Sequence, residues 1–265
     1  MNVPSRVQEL IEGSGNSFHA KVARWFTADG WSVAVSPYYL DQSQQKAREL
    51  DLIAEKVWTI KGSFGDFLGE VAVRLFVECK FLPGHTVFWF TDKNRVAVEE
   101  MICAPGVFRR DNSYTEKHHH LSASNRVAKL CVSENSRGQE SEPFYKALNQ
   151  TLNGLVSFRR HEPRAFSADG PISGFRMSLD FPVVVCNSFS KVYAADFGGV
   201  APVMQVQDNF QLEVEYAYVD VSGRSRDELF LLDIVEFDRL DNFVAAIGRD
   251  AQLAGSFADE GRFGR

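Results

Sequence analysis

The chain has 265 residues, 45% hydrophobic and 24% charged, with 22 phenylalanines; that is enough apolar material for one folded, aromatic-rich unit with a core of ordinary size. Its formal charge of −6 excludes whole-molecule attraction to nucleic acid or anionic lipid, so a polyanion would have to meet a local basic patch. No run reaches 18 apolar residues and Met1 to Gly15 has no apolar h-region, so neither a membrane span nor a secretory leader is expected. Cys79, Cys103, Cys131 and Cys186 stand far apart without C-x-x-C spacing, which disfavours a zinc module and predicts reduced thiols in a cytoplasmic protein.

Val7, Leu10 and Ile11 begin a helical pattern that Gly13-Ser14-Gly15-Asn16 interrupts. Asn16 or Ser17 can then cap a helix over 17–28, where Phe18, Val22, Trp25 and Phe26 form one stripe and Asp29-Gly30 is the stop. Trp31 to Val35 reads as a strand closed by Ser36-Pro37, and Asp41 to Lys46 as a polar loop. A second strand is expected over Arg48 to Ala54, with Leu50, Leu52 and Ala54 on one face and Glu49, Asp51 and Ile53 on the other. After a turn at Lys61 to Gly65, residues 70–81 form a third strand, antiparallel to the second.

Residues 85–91 read as extended and 94–102 as a short helix. The charge-rich stretch 104–140 is expected to be a loop or insertion. Pro143 opens a helix whose stripe is Phe144, Leu148, Leu152 and Leu155. Phe181 to Cys186 is a strand of the kind buried on both faces, and Lys191 to Phe197 another. Gln211 to Val219 and Leu229 to Val235 form a hairpin, followed by a helix around 239–253; together they make a C-terminal extension over 205–255, with fraying after Ala254. No linker divides residues 1–265.

The chemical anomaly is Phe76-Val77-Glu78-Cys79-Lys80-Phe81. In a strand Glu78 and Lys80 project together, roughly 6.6 Å apart, from an otherwise apolar segment where an unpaired ion would cost several kcal/mol. If Asp51 pairs near the Glu78 end, two carboxylates converge beside one lysine. Such oxygen donors suit Mg²⁺, with Mn²⁺ as a substitute, and the Cys79 carbonyl can add a ligand. A lysine beside such an ion can orient water and offset phosphate charge, which fits phosphodiester hydrolysis.

Plainer roles exist for each residue. Glu78 and Lys80 could be a strand-end salt bridge, Asp51 and Glu49 solvated acids, and His19 a satisfied or exposed histidine. His118-His119-His120 is expected to lie in a flexible loop, because three consecutive residues cannot all face one ion. Phe88-Trp89-Phe90 fits core packing better than base stacking. The basic groups Arg109-Arg110, Lys117, Arg126 with Lys129, and Arg159-Arg160-His161 with Arg164 fit solvated surface better than phosphate contacts.

Phe18-His19, Asp29-Gly30-Trp31, Glu49-Leu50-Asp51-Leu52-Ile53-Ala54 and Val77-Glu78-Cys79-Lys80 together resemble the PD-(D/E)XK superfamily of restriction-endonuclease-like nucleases, its Mrr-like branch most of all. The resemblance implies an α/β fold with a core of helix, three strands, helix and strand over residues 17–187, a mixed sheet flanked by helices. It implies Asp51 and Glu78 as metal ligands and Lys80 as the catalytic lysine. Two positions depart from the family pattern: His19 stands where many relatives place a glutamate, with Glu12 as a possible substitute, and Leu50-Asp51 replaces proline-aspartate. The expectation is a Mg²⁺-dependent nuclease acting on DNA, as a homodimer if both strands are cut. The alternative is a catalytically inactive module of the same fold that binds nucleic acid or protein.

Overall fold

The computed structural model describes residues 6, 7, 9, 11, 15–62, 64–103, 108, 118–134, 143–159, 174–220 and 222–263. Helix α1 (Gly15–Ala28) buries Phe18, Val22 and Phe26 of the expected stripe, with Trp25 half-buried against the same core. Its end is set by local chemistry. Gly30 adopts φ 82°, the amide of Trp31 donates to the Phe26 carbonyl at 3.0 Å and that of Gly30 to the Thr27 carbonyl at 3.1 Å. This is the Schellman arrangement, completed by the Phe26–Trp31 ring contact.

Strands β1 (Ser32–Val35), β2 (Tyr38–Asp41), β3 (Lys46–Glu49), β4 (Leu52–Lys61) and β5 (Phe67–Lys80) follow. The chain continues through β6 (Thr86–Asp92), α2 (Arg95–Cys103), β7 (Arg126–Ser133), α3 (Pro143–Phe158), β8 (Phe175–Cys186), β9 (Val192–Asp196), β10 (Met204–Gln205), β11 (Phe210–Val219), β12 (Ser225–Glu236) and α4 (Leu240–Phe263). Ten strands form one mixed sheet in the order β1-β4-β5-β8-β12-β11-β7-β6-β9-β10, while β2 and β3 pair separately. β1, β4 and β5 are an antiparallel meander; after β6, α2 and β7 the chain crosses through α3 to β8, which lies parallel to β5.

Both faces are covered. On one, Phe18, Val22 and Phe26 of α1 and Leu240, Phe243, Ile247 and Ala251 of α4 pack on Val71, Val73, Leu75 and Val77 of β5. On the other, Phe144, Leu148, Leu152 and Leu155 of α3 meet Phe76, Val184 and Leu232. Fully burying each such side chain contributes about 1.5–3 kcal/mol. Arg74 and Asp180 are register partners across β5 and β8, joined by Nε–Oδ1 at 2.9 Å and a second nitrogen–Oδ2 contact at 2.6 Å; the same guanidinium donates to the Phe158 carbonyl at 3.1 Å. This ion pair thus ties β5 to β8 in that register and anchors the end of α3.

Several expectations need correction. The strand expected over Arg48 to Ala54 is two strands broken at Leu50-Asp51, because Pro37 and Ser36 capture that backbone: the Leu50 amide donates to the Pro37 carbonyl and the Ser36 amide to the Asp51 carbonyl. β2 is missing from the sequence reading, which placed a loop at its end; Asp41 Oδ1 accepts from the Ser43 amide at 3.0 Å and closes a hairpin there. The stretch 104–140 is not all loop, since β7 pairs with β6 and touches β11 inside the sheet; residues 104–107, 109–117 and 135–140 lie outside the described residues. The C-terminal hairpin is no appendage. β12 runs parallel to β8 from Asp233↔Val183 to Glu236↔Cys186. Nor does the helix fray after Ala254: Phe257 is buried beside Phe108.

Candidate metal and catalytic site

Asp51 occupies the bend that starts β4, and Glu78 and Lys80 the end of β5. The ladder between these strands begins at Leu52↔Val77, so Asp51 and Glu78 are the next facing pair, just beyond regular pairing. Side chains complete what the backbone leaves open. The Asp51 amide donates to Glu78 Oε1 at 3.3 Å, and Asp51 Oδ2 accepts the Cys79 amide at 2.8 Å. The two carboxylates therefore cross between the strands, each on the other strand's main chain. Asp51 Oδ1 lies 4.0 Å from His19 Nδ1, on a side chain 26% exposed.

Glu78 is 1% exposed, and Lys80 Nζ donates to its Oε2 at 3.1 Å. Burial, then the Asp51 charge, push its carboxyl up to about 7 against the opposing pull of Lys80. The structure thus brings Asp51, Glu78 and Lys80 together. Cys79 contributes through its main chain; its amide meets Asp51, and a strand residue's carbonyl leaves on the same edge as its amide. Its thiol is pushed well above the usual range by burial and the neighbouring acids, so it is no nucleophile.

His19 joins the site from α1. Its Nε2 lies 2.7 Å from the Asp51 carbonyl oxygen and its Nδ1 4.0 Å from Asp51 Oδ1. Glu49 points away from this centre and accepts from the Tyr38 hydroxyl at 3.1 Å. Glu12 lies outside the described residues. Carboxylates, a lysine and an imidazole are residue types that serve a divalent cation and a phosphate rather than acyl transfer, which would need an activated nucleophile here, although the ligand atoms of His19, Asp51 and Glu78 do not all lie within 4.8 Å of one another.

A second polar cluster was missed from the sequence. His119 and His120 are buried, not in a flexible loop. His120 Nδ1 bonds Asp250 Oδ2, its Nε2 lies 3.1 Å from Asp233 Oδ2, and its amide donates to Asp250 Oδ1 at 3.1 Å. His119 Nε2 lies 3.3 Å from Asp250 Oδ2. Lys93 Nζ donates to Gln211 Oε1 at 2.6 Å, and Gln211 donates to Asp233 Oδ1 at 3.0 Å.

His119, His120 and Asp250 lie within 4.8 Å of one another and could hold a metal ion. Hydrogen bonds and close polar contacts already engage all three, however. Burial opposes charge on His120, but Asp233 and Asp250 outweigh it and raise its imidazole to about 10, whereas burial lowers His119 to about 3. The available signal was Asp233 inside an apolar strand and Asp250 inside an apolar helix, buried acids that require cationic partners.

The described members of the basic stretches are paired: Arg126 with Asp196, Lys129 with Glu213, Arg159 with Glu228. Arg109, Arg110, Lys117, Arg160, His161 and Arg164 lie outside the described residues. Phe88 packs edge-on to Phe144 and Phe210, the expected core role. A cavity of about 690 Å³ opens where β7 and β11 splay beside α3, away from Asp51 and Glu78. No helix among the described residues is long and apolar enough to cross a membrane. Comparison with family models, curated proteins and solved structures returns no match.

Proposed function

We propose that the protein is a metal-dependent nuclease that hydrolyses phosphodiester bonds, in DNA by preference, at a centre made by Asp51, Glu78 and Lys80. The observation that carries this reading is the reciprocal bonding of Asp51 and Glu78, each carboxylate on the main chain of the other's strand, with a lysine 3.1 Å from Glu78. The order of elements supports it as well: with the β2–β3 hairpin and the β6, α2 and β7 segment set aside as insertions, α1, the antiparallel meander β1-β4-β5, α3 and β8 parallel to β5 resemble the restriction-endonuclease core. Mg²⁺ or Mn²⁺ bound there would polarise the scissile phosphate and acidify water.

The protein's own groups then have distinct tasks. Asp51 Oδ1 is the carboxylate oxygen free to take the ion, while Oδ2 stays on the Cys79 amide. Glu78 is the second ligand and holds Lys80 in place. Lys80 has three donors, so it can keep Glu78 and also meet a phosphate oxygen on which charge develops.

The second reading is an inactive module of the same fold. It draws on the paired state of Arg126, Lys129 and Arg159, whose charges are met by Asp196, Glu213 and Glu228. Supercoiled plasmid, single-stranded DNA and RNA, each with Mg²⁺ or Mn²⁺, separate the two. Cleavage is expected to fall about 100-fold or more in Lys80→Ala, the scale of losing one charge-stabilising donor. Cleavage that survives the substitution removes Lys80 from the site. No cleavage of any substrate leaves the binding module, read by salt-dependent affinity.

A further inference from the structure

We propose that the cavity between β7 and β11 is a binding site for an uncharged nucleobase, as the free base or its nucleoside, whose hydrogen-bonding edge is read by Glu213 and Lys129 together. The site stands apart from Asp51 and Glu78 and does not rest on the nuclease reading.

The cavity is a break in the sheet. β7 and β11 are parallel neighbours joined at one register pair, Leu212↔Ala128, yet β7 runs on to Ser133 and β11 to Val219. The pairing of β7 with β6 shows the cause: Phe90 faces Ala128 and Trp89 faces Leu130, so Lys129 is an extra residue, a β-bulge. A bulge bends its strand and re-aims a side chain. Here it leaves about 690 Å³ between the two strands, with Phe144 and Leu148 of α3 among its walls. That volume lies within the range of about 300–1,000 Å³ usual for small-molecule sites.

One polar group in these walls has nothing to bond. The Glu213 side chain is 5% exposed; its Oε1 takes the Lys129 ammonium, while Oε2 is the one buried side-chain polar atom without a hydrogen-bond partner among the described residues. Native folds keep such atoms rare, and a ligand that donates to Oε2 removes the penalty. An ammonium has three donors, and Glu213 occupies one of those of Lys129. Side by side, the pair therefore offers a spare acceptor and spare donors. Oε2 is shut from water, and the Lys129 side chain, 37% exposed, is the movable part beside it. Its shift toward a ring acceptor opens Oε2 to the neighbouring ring N–H.

Nucleobases carry the complementary edge, an N–H donor next to an acceptor, on a flat ring. Tyr145 and Phe197 are both exposed and both line the cavity, so they supply aromatic faces for such a ring to stack on. Charge selects the form of the ligand. The charged residues of the lining are Lys129, Glu213 and Glu215, a net negative set that repels phosphate.

The test is calorimetry of the full chain with adenosine, guanosine, cytidine and thymidine, their 5′-monophosphates, and single-stranded DNA. At least one nucleoside should bind, about threefold or more tightly than its monophosphate. Methylating the N–H donor on its base edge should weaken it about tenfold or more, and so should Glu213→Ala, the scale of one hydrogen bond to a charged group. Cys131 lines the same cavity, so the bound nucleoside should slow its alkylation by iodoacetamide in wild type, read by mass spectrometry. The methylated ligand and the Cys131 rate decide the matter even if Glu213→Ala misfolds.

No binding of any of the four nucleosides would overturn the proposal. So would affinity unchanged in folded Glu213→Ala, or a Cys131 rate indifferent to the nucleoside. Monophosphates or single-stranded DNA binding as tightly as the nucleoside would overturn the assignment to an uncharged ligand and give the cavity to a base within a strand.

Discussion

Asp51 and Glu78 each bond the main chain of the other's strand: the Asp51 amide meets Glu78 Oε1 at 3.3 Å, and Asp51 Oδ2 meets the Cys79 amide at 2.8 Å. This exchange continues the β4/β5 ladder for one step after the backbone stops supplying it. It also brings two acids together at a site where one is almost fully buried, and the cost falls on Glu78.

That cost is measurable as pH dependence. Glu78 is raised from 4.5 to about 7 by burial and by Asp51, so between those values the folded protein holds a proton that the unfolded chain has lost. Stability therefore falls as pH rises from about 4.5 to about 7 and the Glu78 contribution is constant above. The displacement corresponds to on the order of 3 kcal/mol. Urea denaturation of wild type and Glu78→Gln across pH 4–8 should show the variant gaining relative to wild type by up to that amount, with the gain complete near pH 8. A constant difference across the range would refute the assigned shift. Added Mn²⁺ should reverse the ranking above pH 7 by stabilising only the carboxylate form.

Much of this site was legible from residue order alone. Glu78 and Lys80 stood out because charges two apart on an apolar strand demand partners, and Asp51 lay at a suitable distance on the preceding strand. What could not be read was the bend at Leu50-Asp51, since it depends on Pro37 and Ser36 bonding across from another segment. Leu50, Leu52 and Ala54 are all buried, as their alternation predicts, even though the strand is broken between them. β7 was missed for a related reason. Arg126 and Lys129 make it read as polar loop, yet their charges are matched by Asp196 and Glu213 from other strands. Long-range charge pairing of this kind has no signature in a local window.

The buried His120 should make the fold sensitive to alkali. Its imidazole is raised to about 10 from 6.5 by Asp233 and Asp250, which outweigh burial; the stability it contributes is complete below pH 6.5 and disappears as pH rises to about 10. Lys93 acts in the opposite sense, since burial lowers it to about 8 and its discharge relieves the fold. The informative quantity is therefore the difference between wild type and His120→Gln. The variant should be less stable by about 3–5 kcal/mol at pH 6, the cost of leaving two buried acids without their cation, and the gap should narrow steadily toward pH 10. A gap that does not change with pH would mean that His120 is neutral in the folded protein.

Arg74 and Asp180 test what aligns β5 with β8. Both side chains are nearly buried, and the guanidinium also holds the Phe158 carbonyl at the end of α3. Removing one partner strands the other charge, so Arg74→Leu and Asp180→Leu should each cost about 3–5 kcal/mol in urea denaturation. The double substitution should cost less than the two single losses added together, because no ion is then left unpaired. The Phe158 carbonyl loses its donor in any chain without Arg74, so recovery should be incomplete by about 1–3 kcal/mol. Since β5 ends in Glu78 and Lys80, slippage of this register would displace the site itself. Mn²⁺ affinity should therefore fall in the single variants and return with the double one. Additive stability losses would show that the pair does not act as a unit, and the β5/β8 alignment would then rest on the apolar side chains alone.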